Sequence, residues 1–71
     1  MMPEIWTGNL IGRMHNAKVT KVDIANEMGV NKSYISMILN GQRKPRNAEV
    51  KLNAAFDAIM ARRRGEKSEE A

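Results

Sequence analysis

The sequence predicts a compact all-α domain of four, at most five, short helices, and three observations say so. No run of alternating β-branched residues is long enough for a strand. Apolar residues recur instead at spacings of three and four, the period of a helix with one buried side. Residues that start and stop helices punctuate these stretches at short intervals. A chain of 71 residues makes one small domain. With no cysteine and a single histidine, His15, it has neither disulfides nor a clustered metal site to staple it. Stability has to come from an apolar core, extended where needed by a partner subunit.

The first helix starts near Pro3, because a missing amide hydrogen costs nothing in a first turn. Trp6, Leu10 and Met14, with Ile11 one step aside, form its inward stripe. Gly8 and Gly12 share another side and weaken the helix by up to about 1 kcal/mol each relative to alanine. Simple tolerance explains them better than a packing groove. His15 reads as a surface or capping residue. Thr20 caps the next helix, with Asp23 three residues on, and "KVDIANEM" runs to a stop at Gly29. Val30 tucks beneath the turn. Asn31 caps a third helix, "KSYISMILN", which ends at Gly41. Two helices are thus written with a stop and a start two residues apart, which specifies a helix-turn-helix.

"GQRKPRN" reads as a loop, in which Pro45 pushes Lys44 out of the helical conformation. Asn47 caps the fourth helix, "AEVKLNAAFDAIMARRR". Its core stripe is Leu52, Ala55, Phe56 and Ile59, widened by Val50, Ala54 and Met60. Arg62, Arg63 and Arg64 fall in its last turn, where positive charge complements the helix dipole, and read as a solvated cluster. Gly65 ends the helix, which makes residues 1–65 the domain and 66–71 a disordered polar tail.

The net charge of +4 is unevenly spread. Residues 1–30 sum to zero, whereas residues 31–64 carry eight basic residues against Glu49 and Asp57, a net of +6. A basic second half in a small domain points to a polyanion, nucleic acid before an acidic membrane surface. No apolar run reaches the roughly 18 residues needed to cross a bilayer, and the N-terminus lacks the pattern of a signal peptide. The expected location is the cytoplasm.

The spacing within residues 21–40 has a mechanical reason. Ala25 is small where two helices cross closely, Gly29 allows a turn that larger residues resist, and Ile35 and Ile38 anchor the third helix to the core. With those two inward, Lys32, Ser33, Ser36, Met37 and Asn40 turn outward.

These residues, Ala25, Gly29, Ile35 and Ile38 with apolar Ile24, Met28 and Val30 between them, resemble the lambda-repressor-like, Cro/C1-type family of helix-turn-helix DNA-binding domains. The closing "NGQRKP" is similar to the asparagine–glycine, basic, proline sequence of many members. The family commonly opens its motif with glutamine, where this chain has Lys21.

The resemblance implies a third helix lying in the major groove of double-stranded DNA. By residue type and matching position, Lys32 and Ser33 lead as base readers, followed by Ser36 and by Met37, whose side chain suits a thymine methyl. Phosphate contacts are expected from Lys21, Asn31, Tyr34, Asn40, Gln42, Arg43, Lys44 and Arg46. The function implied is a sequence-specific regulator, a repressor from a phage or other mobile element, acting as a homodimer. Its dimer contact is expected on the fourth helix, around Phe56, Ile59 and Met60. No cofactor, metal or small-molecule ligand is expected. An enzyme is rejected, because paired carboxylates, an activated nucleophile and a metal cluster are all missing from the sequence. The alternative is a protein-interaction adaptor or anti-repressor that kept the fold without DNA binding. The acid-free basic segment from Asn31 to Asn47 argues against it.

Overall fold

The computed structural model describes residues 4–70, with side chains as far as residue 65. Pro3, expected in the first turn of the first helix, lies outside the described residues. Four helices follow one another: α1 (Ile5–Ala17), α2 (Lys21–Met28), α3 (Lys32–Leu39) and α4 (Ala48–Glu70), with no strand among the described residues.

Helix ends obey the local chemistry. Thr20 and Asp23 form a reciprocal capping box: the Asp23 amide donates to Thr20 Oγ1 at 3.1 Å, and the Thr20 amide donates to Asp23 Oδ2 at 2.9 Å. Two of the amides that the first turn of α2 leaves without helical partners are thereby satisfied. Gly29 ends α2 in the left-handed conformation, at φ 73°. Asn31 caps α3 through its side chain, which accepts from the Tyr34 amide at 3.1 Å. Asn40 is the C-cap of α3, and Gly41 after it turns left-handed at φ 82°.

Other ends depart from expectation. α1 closes on Lys18, which adopts φ 58° without being glycine. The turn is held by the Val19 amide, which donates to the Met14 carbonyl at 2.8 Å, and by burial of the Val19 side chain. Asn47 is also left-handed, at φ 63°, a conformation asparagine tolerates better than most residues. It starts α4 through its backbone, since its carbonyl accepts from the Lys51 amide at 2.9 Å. α4 runs through Gly65 to Glu70 rather than stopping at the glycine. Gly65 keeps an ordinary negative-φ backbone there, and one glycine costs about 1 kcal/mol in a helix without obliging it to end.

The core gathers Leu10 and Met14 of α1, Val19 of the turn that follows, Ile24 and Ala25 of α2, Ile35, Ile38 and Leu39 of α3, and Ala48, Leu52, Ala55, Phe56 and Ile59 of α4. Trp6 packs on its edge, half-buried. Thr7, the one buried polar residue among the described residues, donates its hydroxyl to the Glu4 carbonyl at 2.6 Å and so carries no unpaired group into the core. Ile11 and Val50, read from the sequence as inward-facing, are 43% and 68% exposed, and Ala54 is exposed as well. Each sits just off the buried stripe of its helix. Gly8 and Gly12 are exposed with open space around them, so no element uses their smallness.

Phe56 and Ile59 are spent on this core, at 5% and 4% exposure. In the single chain their side chains pack inward, beside Met60, the third residue of the expected dimer contact. Of that trio only Met60 keeps partial exposure, at the margin of the core.

Candidate nucleic-acid interface

Helix α3 is fixed from below. Ile35, Ile38 and Leu39 are at most 2% exposed, and the Asn31 cap sets where the helix starts. Three inward positions in eight residues leave no rotational freedom about the helix axis. On a helix of 3.6 residues per turn, the crest opposite these three falls at Ser33, Met37 and Asn40. Ser33 and Asn40 are exposed and Met37 is half-buried, with half-buried Ser36 on one shoulder and Tyr34 on the other. Lys32 belongs to a different arc. It lies seven residues before buried Leu39, hence near the inward side, and is exposed because it occupies the first turn.

The loop after α3 is tied to the same helix. Gly41 donates its amide to Ile38, and the amides of Gln42 and Arg43 both donate to the Met37 carbonyl, at 2.9 and 3.2 Å. A carbonyl at the end of α3 that would otherwise lack a partner is satisfied twice over. Gln42, Arg43, Lys44 and Arg46 are exposed around half-buried Pro45. The structure thus brings these four residues to the end of α3, continuous with its crest. Lys21 stands at the start of α2, half-buried, and the exposed Asn31 at the start of α3. Tyr34 divides itself: its ring packs on the core, and with Met28, Val30 and Pro45 it lines an open apolar groove against α4.

Charge pairing separates the cations into two groups. Arg13 hydrogen-bonds Asn53 and pairs with Asp57 at 3.3 Å while stacking on the Phe56 ring, 4.6 Å from its centre. Arg62 pairs with Glu27, and Arg63 lies 3.9 Å from the Asp23 carboxylate. In contrast the side chains of Lys32, Arg43, Lys44 and Arg46 enter no intramolecular hydrogen bond or ion pair among the described residues. No acidic residue lies between Asn31 and Asn47 to occupy them. Arginines 62 and 63, read from the sequence as a solvated cluster, are structural ties to α2. Their partners lie 35 to 46 residues away in sequence, beyond the reach of local pattern.

Asp23 is the acidic member of that tie. The Thr20 amide bonded to its carboxylate holds its pKa below the ordinary value; partial burial opposes this, and the Thr20 hydroxyl and Arg63 add to it.

A tightly seated α3, a crest of small polar and thioether side chains, and unpaired cations at its end define a DNA-binding helix-turn-helix protein. The family model described as helix-turn-helix matches residues 13–55, more than half of the chain, and the chain belongs to this Cro/C1-type, lambda-repressor-like family. Membership makes it a DNA-binding protein of a transcription-regulating class. Comparison with curated proteins and with solved structures finds no match. No described helix is long and apolar enough to cross a membrane.

Proposed function

We propose that the chain is a sequence-specific repressor that lays α3 in the major groove of double-stranded DNA and blocks transcription by occupying its site. The observation that carries this reading is the acid-free segment from Asn31 to Asn47, with four unpaired cations around the exposed crest of α3. Cations held away from intramolecular partners suit phosphates, which orient a protein on the duplex without carrying sequence information. Arg43, Lys44 and Arg46 serve in that capacity from the loop, with Gln42 and Asn40 adding hydrogen bonds. Lys21 and the amides at the Asn31-capped start of α3 add contacts at the other end.

Base reading falls to the first turns of α3. Ser33 on the crest donates to or accepts from a base edge, Lys32 from its flank donates to guanine O6 or N7, and Met37 presents an apolar surface to a thymine methyl. Ser36 is the shoulder residue between them. A single module of this size covers few base pairs, so two copies on a two-fold axis read half-sites about 34 Å apart. Selection of bound duplexes from a random pool tests the whole reading. It is expected to return a short, inverted repeat with that spacing, and recovery of unenriched sequence overturns it.

A further inference from the structure

Arg63 reaches from the later turns of α4 to the turn between α1 and α2. Its Nη1 donates to the Ala17 carbonyl at 2.6 Å and its Nη2 to the Lys18 carbonyl at 3.3 Å, with the Asp23 carboxylate 3.9 Å from Nη2. The three acceptors are successive parts of one short segment. Ala17 is the last residue of α1, Lys18 its left-handed cap, and Asp23 the capping partner of α2. The two carbonyls belong to the negative end of α1, where no further helical amide reaches them. A planar guanidinium bridges such a pair as a flexible ammonium does not. The segment needs holding, because Lys18 sits at φ 58° in a conformation that side-chain-bearing residues rarely adopt.

What this segment delivers is the start of α2. Lys21 is its first residue, and its side chain enters no intramolecular bond among the described residues. We infer that Arg63 is a positioning residue for DNA binding: by clamping the α1–α2 turn from α4 it fixes Lys21 where a phosphate is met while α3 lies in the groove. This rests on the DNA-binding reading above. Arg63 touches no DNA itself; it acts through the Ala17 and Lys18 carbonyls and Asp23. Without the clamp, the Lys21 contact loosens. Affinity then falls about equally for every duplex, and the dependence of binding on salt becomes shallower by about one unit of log–log slope.

The test measures binding of a random-sequence duplex and of a selected site between roughly 50 and 200 mM salt for the wild type, Arg63→Met, Arg63→Lys, Lys21→Ala and Arg63→Met/Lys21→Ala. Circular dichroism confirms folding of each. Arg63→Met and Lys21→Ala are each expected to lower the slope by about one unit with unchanged sequence preference, and the double variant to lower it no further. Arg63→Lys, which keeps the charge but loses the two-carbonyl bridge, is expected between wild type and Lys21→Ala, and serves if Arg63→Met does not fold. A wild-type slope in either Arg63 variant, with only the melting temperature lowered, overturns the inference and leaves a purely structural tie. Fully additive slope losses in the double variant overturn it as well. A wild type that binds no duplex at low salt removes the DNA-binding reading first, and this inference with it.

Discussion

The amide of Arg43 donates to the carbonyl of Met37 at 3.2 Å, so the first cation of the loop is bound through its backbone to the crest of α3. Arg43 and Met37, proposed to meet a phosphate and a base respectively, are thus held in one frame. Arg43→Ala leaves this backbone bond intact and removes only the guanidinium. The expected result is a loss of affinity shared by all duplexes and a salt slope reduced by about one unit. Lys44→Ala should behave alike. Fluorescence anisotropy against a selected site and a scrambled one checks both, and a loss confined to the selected site would reassign these residues to base reading.

Substitution on the first turns of α3 is expected to do the opposite. Ser33 stands on the crest and Lys32 on the flank, so Ser33→Ala and Lys32→Ala should shift the preferred base at one position each while nonspecific affinity falls little. The discrimination lost is about 1 to 3 kcal/mol per position where the wild-type contact is good. Repeating the duplex selection with each variant reads this directly. An unchanged consensus from both would move base reading off the start of the helix.

The glycines separate by backbone conformation. Gly29 has open space where a side chain would go but stands at φ 73°, so Gly29→Ala costs backbone strain alone, about 1 to 2 kcal/mol. Gly8 and Gly12 have the same open space in an ordinary helical backbone, and Gly8→Ala and Gly12→Ala should each stabilise by about 0.5 to 1 kcal/mol. Chemical denaturation at neutral pH measures all three. Destabilisation by either α1 substitution would show that this side of α1 is covered after all.

What the sequence made legible was local. Thr20, Asp23, Gly29, Asn31 and Gly41 act within four residues of their partners, so residue type and spacing were enough to place two helices. Ile35 and Ile38 announced the seat of α3 by period alone. The misreadings were of two kinds. Ile11 and Val50 are apolar residues just off a helix face, and only the number and position of packed neighbours decides whether they are covered. The ties made by Arg62 and Arg63 depended on which elements α4 meets, and those partners lie tens of residues away. Lys18 was silent for another reason: lysine carries no preference for left-handed backbone, and the buried Val19 behind it imposes the turn.

The Thr20–Asp23 box makes folding sensitive to acid. Asp23 has its pKa lowered in the folded chain, chiefly by the Thr20 amide, so the folded state prefers the carboxylate relative to the unfolded one. A depressed folded value means the stabilisation is complete above the unfolded pKa and disappears as pH falls through the folded one. Asp23 is partly exposed, and its 3.9 Å approach to Arg63 is screened by solvent and adds little. The cap itself is worth about 0.5 to 2 kcal/mol. Thermal melts from neutral pH downward are expected to hold level until the ordinary carboxylate range and then decline. Asp23→Asn should start lower and lose that part of the decline, because an amide cannot gain a proton there. The same acid slope in the variant and the wild type would place the pH sensitivity elsewhere and reduce the box to geometry.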